Sequence, residues 1–228
     1  MNNNSDCICL IPARGGSKRL PRKNIKLFNG KPLIAWSIET AISCNLFSKV
    51  FVSSDDNEII EISRKYGAEV PFVRPAKLAN DYAKDIEVIN HFLEWMRMKN
   101  LNPKFLCYLY PTAPFIEKKT LSGCLNLLKE KRVREVSTIT SFPYPPQKAF
   151  RLDKEKGLTF NWEEYKGKRS QDLETLYHDA GQCYFFNLDN TLKTKEKLGY
   201  KLPRYKCQDI DTQEDFENLE ILFRLREV

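Results

Sequence analysis

Apolar positions fall in short unbroken runs, separated by longer stretches in which they recur every three or four residues. Residues 7–11, 50–52, 105–110 and 136–140 have strand length and strand composition. Between them, 32–44 places Ile34, Ile38, Ala41 and Ile42 near helical spacing, with Pro32 suited to a first turn. Residues 57–66 repeat Ile59, Ile62 and Tyr66 before Gly67, a helix stop. Residues 85–99 carry Ile86, Ile89, Leu93 and Met96, the clearest amphipathic stretch, and 120–131 set Leu121, Leu125 and Leu128 on one face. A short extended piece, 70–73, is interrupted by Pro71. Strand–helix alternation of this kind predicts an α/β, Rossmann-like fold: a mainly parallel sheet with helices on both faces. Continuous apolar strands agree, since such strands are buried on both sides. Ligands in these folds gather at the carboxyl ends of the strands, here after Ile11, Val52, Tyr110 and Thr140.

The alternation breaks at Phe142, where Phe142-Pro143-Tyr144-Pro145-Pro146 cannot continue a sheet interior. Residues 142–182 are polar, basic and aromatic with little periodicity. They read as an insertion, a lid or a dimerisation arm, in a core formed by 1–141 and 183–228. Residues 183–186 return to strand character. Residues 212–226 read as a closing helix, with Thr212 as cap, Asp215 three residues later, and Phe216, Leu219 and Phe223 on its apolar face.

At 228 residues, 42% hydrophobic and 29% charged, the chain can bury a core and is not of disordered type. No apolar run approaches the ~20 residues of a membrane span. Residues 1–6 lack the basic start of a secretory signal. The seven cysteines contain no C-x-x-C, and only two histidines accompany them, which argues against a zinc site. Several lie in apolar runs and read as reduced core thiols of a cytoplasmic protein.

Net charge is +7, and Arg14, Lys18, Arg19, Arg22, Lys23, Lys26 and Lys31 crowd into one stretch. That favours a local anion site over a diffusely basic surface. The stretch leaves the first strand through Ala13-Arg14-Gly15-Gly16-Ser17-Lys18, where glycines let backbone N–H groups approach an anion and the cations neutralise it. It is neither a P-loop nor G-x-G-x-x-G. A nucleic-acid-binding module is the alternative from another class, but it predicts interleaved aromatics, and 14–26 contain none. Far downstream, Asp209 and Asp211 alternate about Ile210, so both carboxylates point one way. They read either as metal ligands or as a helix-capping pair. Asp55 and Asp56 likewise suit a helix cap or a nucleotide pocket. His91 lies within a predicted helix and reads as structural.

The loop at 11–24 resembles the N-terminal signature of the cytidylyltransferases that activate nonulosonic (sialic-type) acids. Further likenesses follow in order: Val52-Ser53-Ser54-Asp55-Asp56, Arg74-Pro75 with Leu78 and Asp81, Pro111-Thr112-Ala113-Pro114, and Asp209-Ile210-Asp211. Arg169-Ser170-Gln171-Asp172-Leu173, Tyr177-His178-Asp179-Ala180-Gly181-Gln182 and Phe142-Pro143-Tyr144-Pro145 look like the pseudaminic acid branch. Tyr110 stands where N-acetylneuraminate enzymes usually carry Gln. The resemblance implies transfer of CMP from CTP to the anomeric hydroxyl of pseudaminic acid, with N-acetylneuraminic or legionaminic acid as the alternative acceptor. It implies Arg14, Lys23 and Asp211 in catalysis, and Ala13, Arg14, Gly15, Gly16, Ser17, Lys18, Lys23, Asn24, Arg74 and Asp81 around the nucleotide. It implies Tyr110, Arg169, Gln171, His178, Asp179 and Gln182 around the sugar, with Arg169 on the sugar carboxylate. It also implies Mg2+ on Asp209 and Asp211, and a homodimer whose insertion reaches the neighbour's site. Tyr110 is read as either stacking on the sugar or packing in the core, and His178 as a possible general base.

Overall fold

The fold is that of a computed structural model, which describes residues 6–155 and 157–225; residues 1–5 and Arg226, the expected end of the closing helix, lie outside them. In chain order the elements are β1 (Cys7–Pro12), a short hairpin of β2 (Leu27–Phe28) and β3 (Lys31–Pro32), α1 (Leu33–Ser43), β4 (Lys49–Ser53), α2 (Asn57–Lys65), α3 (Asp85–Met98), β5 (Phe105–Leu109), α4 (Lys118–Lys131), β6 (Glu135–Ser141), a second hairpin of β7 (Phe150–Asp153) and β8 (Gly157–Phe160), β9 (Tyr177–Asn187), β10 (Lys197–Lys201) and α5 (Gln213–Leu225).

Six strands form one sheet in the order β10-β6-β9-β5-β1-β4. It is parallel except at β9, which runs antiparallel to both β5 and β6. The unbroken apolar strands have the cause expected of them: each face of the sheet is covered. Cys9, Ile11, Val52, Cys107 and Leu109 share one buried cluster with Ile34 and Ile38 of α1, Ile59 of α2 and Leu121, Leu125 and Leu128 of α4. Ile8, Leu10, Phe51, Leu106 and Tyr108 share another with Ile89, Phe92 and Met96 of α3. Each such side chain contributes roughly 1.5–3 kcal/mol on burial. In a third cluster, Phe216, Leu219 and Phe223 of α5 pack on Phe28 and Leu33. This brings the end of the chain back to its beginning.

Helix ends follow the sequence signals. The Asp56 carboxylate accepts from the Ile59 N–H at 3.0 Å and caps α2. The Asp215 carboxylate accepts from the Thr212 N–H at 2.8 Å, while the Asp215 N–H donates to Thr212 Oγ1 at 3.1 Å. All seven cysteines are free thiols, and Cys7, Cys9, Cys107, Cys124 and Cys183 are buried. Among the described residues no helix is long and apolar enough to cross a membrane.

Three differences from expectation matter. The strand expected at 183 begins already at Tyr177, so 177–182, read as part of the insertion, belong to the central sheet. Tyr177, His178 and Asp179 pair with Ser141, Thr140 and Ile139 of β6. The ladder then shifts register, and Gly181 sits at φ 60 where it does so. Residues 177–182 form no apolar run, which hides this extension. The edge strand β10, Lys197–Lys201, has lysine at both ends and a central glycine and so gives little apolar signal, and the two-residue strands of the Asn29–Gly30 hairpin are too short for a periodicity to register. Residues 70–73 make only an isolated bridge, Ser54 to Val73, because Pro71 cannot donate to a ladder. Residues 142–176 leave the sheet and carry the β7–β8 hairpin, with Phe150, Leu152 and Leu158 exposed.

Candidate active site

A cleft of about 650 Å³ opens where β1 and β5 end, lined by the loop after β1, the segment between β4 and α3, the residues after β5, and Asp211. This is the sheet edge where strand-end ligands were expected.

The loop after β1 is fixed from beneath. The Ala13 N–H donates to the Ser53 carbonyl at 2.9 Å, prolonging the β1–β4 alignment. Asn24 is buried and donates from Nδ2 to the Arg14 carbonyl at 2.9 Å. The Gly15 N–H donates to Asp55 Oδ1 at 3.0 Å. A Cβ at Gly15 would stand 2.7 Å from Asp56 Oδ2 and 2.9 Å from Asp56 Cβ, so only glycine fits there. At Gly16 a Cβ would meet nothing within 4 Å. Ser17 turns the chain by donating its N–H to the Gly15 carbonyl at 3.0 Å. Arg22, in the left-handed region at φ 57, pairs with both Asp56 and Glu58. Asp55 and Asp56 therefore serve the loop and the α2 cap together.

The cations that this loop sends into the cleft are answered by carboxylates on the facing walls. Arg14 Nη1 is 2.9 Å from Asp81 Oδ1, and Lys18 Nζ is 2.6 Å from Asp81 Oδ2. Lys18 first, then Arg14, hold the Asp81 carboxyl below its ordinary range. Arg19 Nη1 is 2.8 Å from Asp211 Oδ2, and Lys23 Nζ is 3.5 Å from Asp211 Oδ1 and donates to the Ile210 carbonyl at 2.6 Å. A polyphosphate can exchange for these carboxylates at every one of the cations. Arg74 differs. It is 4% exposed and donates to Ser53 Oγ at 3.1 Å, to the Ser53 carbonyl and to the Leu78 carbonyl at 3.3 Å. Among the described residues no carboxylate ion-pairs with it, and it lines the cleft. Burial pulls its guanidinium below the ordinary range.

Capping of α5 falls to Thr212 and Asp215, which frees Asp209 and Asp211 from that role; the Asp211 N–H itself donates to Asp215 at 3.1 Å. Ile210 between them is 2% exposed and anchored in the α5 cluster. Asp209 Oδ1 lies 3.1 Å from where a Cβ at Gly181 would stand, which places it against β9 near His178 and Asp179. Its carboxyl is pushed above the ordinary range by lost hydration first and by Asp211 next. Asp209 makes no ion pair among the described residues. Two oxygen donors of like charge, one without a cationic partner, fit a hard divalent ion that takes its other ligands from phosphate and water. Among the described residues no group of three or more His, Cys, Asp or Glu side chains has metal-holding geometry.

The residues assigned to the sugar are spread out. Tyr110 lines the cleft and is half-buried rather than in the core. Asp179 accepts from Tyr184 Oη at 2.5 Å and from the Gly181 N–H at 2.8 Å. His178 packs on Phe142, centroids 4.8 Å apart, with Nδ1 2.8 Å from the Asp179 carbonyl. Gln182 is buried and its amide donates to the Lys206 carbonyl, so it faces inward. Arg169 is exposed in 142–176 with both its hydrogen bonds on Asp172, at 2.8 and 3.1 Å, and Gln171 is exposed beside it; neither lines this cleft. The pairing with Asp172, three residues on, accounts for where Arg169 points. His91 stacks edge-on against Phe72 at 4.7 Å, a packing role. Sequence reasoning gave no role to Asp85, Tyr108 or Tyr184. The two tyrosines lie inside strands and look like core; Asp85 looks like a helix start.

Comparison with known proteins agrees with this geometry. The cytidylyltransferase family profile matches residues 8–226. A pseudaminic acid cytidylyltransferase of Campylobacter jejuni subsp. jejuni serotype O:23/36 is 41% identical over 224 residues, 96% of each chain. The N-acylneuraminate cytidylyltransferase of Escherichia coli O18:K1:H7 is 32% identical over 92% of this chain and 50% of its own. In fold, a CMP:2-keto-3-deoxy-manno-octonic acid synthetase complexed with CTP superposes with a TM-score of 0.67 at 16% identity, covering 96% of this chain and 99% of that one. The 4-diphosphocytidyl-2C-methyl-D-erythritol synthase of Anaerococcus prevotii gives 0.62 at 14% identity, covering 97% of this chain and 100% of that one. With the profile spanning nearly its whole length, this chain belongs to the cytidylyltransferase family.

Proposed function

We propose that the chain transfers CMP from CTP to the anomeric hydroxyl of pseudaminic acid, a nine-carbon 2-keto acid sugar, with release of pyrophosphate. One observation carries the reading: the basic loop after β1 and the acidic residue Asp211, from opposite ends of the chain, meet on one cleft at the strand ends. The 41% identity to a pseudaminic acid cytidylyltransferase over 96% of both chains supports the choice of sugar.

In this reading Arg14, Lys18 and Lys23 leave Asp81 and Asp211 for the triphosphate, and the backbone from Gly15 to Ser17 lets the phosphates come close. The bond from the anomeric oxygen to the α-phosphorus forms as the bond to the pyrophosphate oxygen breaks. Negative charge then grows on the leaving group, and a cation placed there contributes about 10²-fold or more in rate. Arg74, fixed by Ser53 and Leu78, borders the nucleoside. Asp209 and Asp211 would hold Mg2+, which supplies charge neutralisation at the phosphates and a lower pKa for the attacking hydroxyl. Arg169 and Gln171 stand off their own cleft, which supports a homodimer in which they serve the neighbour's.

Pyrophosphate release with CTP, Mg2+ and a panel of nonulosonic acids tests this. Turnover with pseudaminic acid above the N-acetylneuraminic and legionaminic arms is expected, with none when sugar is omitted or when UTP or ATP replaces CTP. Preference for another sugar would overturn the acceptor; turnover with any nucleotide would overturn the cytidylyl donor.

A further inference from the structure

We propose that Asp85 is a positioning residue for the sugar acceptor, pinning Tyr110 at the cleft wall. The inference rests on the transfer reaction proposed above. Asp85 opens α3, and its two carboxylate oxygens are taken by different tyrosines: Tyr108 Oη donates at 2.8 Å and Tyr110 Oη at 2.5 Å. Tyr108 is 1% exposed, locked among the residues that α3 covers. Asp85 is therefore held at one oxygen by the core and passes that constraint through the other to Tyr110, which is half-buried on the cleft surface.

Tyr110 is fixed at its other end as well. Its N–H donates to the Gln182 carbonyl at 2.8 Å, and its carbonyl accepts from Ser37 Oγ at 2.9 Å. Its ring lies 5.8 Å from Tyr108 and 5.6 Å from Tyr184, and Tyr184 in turn donates to Asp179. Two carboxylates thus bracket three tyrosines. Both oxygens of Asp85 accept, so the hydroxyl of Tyr110 is spent on a carboxylate that lines the same cleft, and the ring is held in one position at the wall. Burial raises the phenol above its ordinary range, with the Asp85 hydrogen bond next.

The cations assigned to the triphosphate pair with Asp81 and Asp211, not with Asp85. Asp85 itself lines the cleft and acts on the Arg74 charge, so Tyr110→Phe, which removes the bond and keeps the carboxylate, is the change that should touch the acceptor and spare CTP.

The test uses the full chain with CTP, Mg2+ and pseudaminic acid, comparing Asp85→Asn, Tyr110→Phe and the double variant. Each single change is expected to raise the KM for sugar about tenfold, as for loss of one charge-assisted hydrogen bond, with the KM for CTP within about twofold in Tyr110→Phe. The double variant should be no worse than the poorer single, since both remove the same bond. Tyr110→Phe leaves the Tyr108–Asp85 bond in place, so it carries the test by itself if Asp85→Asn unfolds. An unmoved KM for sugar, an equal rise for CTP in Tyr110→Phe, or multiplying effects would overturn the role of Asp85. Absence of wild-type turnover would instead overturn the transfer reaction.

Discussion

Lys23 and Asp211 are separated by 188 positions in the chain, yet Lys23 Nζ stands 3.5 Å from the Asp211 carboxylate and donates to the neighbouring Ile210 carbonyl at 2.6 Å. Ile210 is held in the α5 cluster, so the packing of Phe216 and Phe223 on Phe28 sets where the acid meets the basic loop. The site is thus closed by the last helix, not by the loop alone.

Asp211→Ala separates chemistry from folding. The carboxylate is 34% exposed, Arg19 is solvated, and Lys23, though only 22% exposed, stands as far off as 3.5 Å, so the two ion pairs contribute about 1 kcal/mol each. Melting is expected to shift by only a few degrees, while kcat/KM falls by about 10²-fold or more. Near-normal turnover would remove Asp211 from the machinery.

Arg14 and Asp81 make opposite predictions at one contact. Arg14→Ala should lower kcat/KM for CTP by about 10²-fold. Asp81→Asn removes a carboxylate that occupies Arg14 and Lys18 before the triphosphate arrives, and the KM for CTP should fall, by about two- to fivefold at low salt and less at high salt. A higher KM in this variant would show that Asp81 contacts the nucleoside instead.

Much of this was legible in the sequence. The strand runs, the helices α2, α3 and α5, and the basic loop could be read because burial on both sheet faces and helical periodicity write themselves into residue type. The facing of Asp209 and Asp211 with the loop follows from motif order, not from any local pattern. Part of what stayed hidden has a simple physical cause: cleft residues on buried elements look like core. Tyr108 reads as one more apolar strand residue, and only the geometry shows its hydroxyl on Asp85. The start of β9 was hidden for the opposite reason, since Tyr177, His178 and Asp179 are polar at a strand end. Arg169 is assigned by resemblance, and its pairing with Asp172 three residues on is a local contact that no spacing rule excludes.

Arg169 supplies a test of assembly. An Arg169→Ala chain and an Asp211→Ala chain are each expected to be nearly inactive. If the insertion serves a neighbouring cleft, mixing the two after gentle dissociation should restore up to about a quarter of wild-type turnover, because about half of random pairs are mixed and each mixed pair has one intact composite site of its two. No recovery on mixing, with a monomer by light scattering, would refute the arrangement.

Gly15→Ala tests the floor of the loop. Backbone dihedrals do not forbid alanine there, but its Cβ would collide with Asp56 at both Oδ2 and Cβ. Asp56 can yield only by giving up Arg22 or the α2 cap. A loss of about 1–3 kcal/mol is expected in chemical unfolding, together with a raised KM for CTP. Gly16→Ala, where a Cβ meets nothing, should leave stability within about 0.5 kcal/mol of wild type.

Asp56 also gives the fold a readable pH dependence. Arg22 above all, and then the Ile59 N–H, hold its carboxyl below the ordinary 3.8 against the opposing effect of burial. A carboxyl depressed in the folded state binds its proton more readily when unfolded. Its contribution is therefore complete above about pH 5 and fades as pH falls through 3.8 toward the folded value. Asp56→Ala removes the cap and the ion pair together. Urea unfolding at pH 7 should show the variant about 1–2 kcal/mol less stable, and the gap should narrow below pH 4. A gap that stays constant down to pH 3 would mean that Asp56 acts by shape and not by charge.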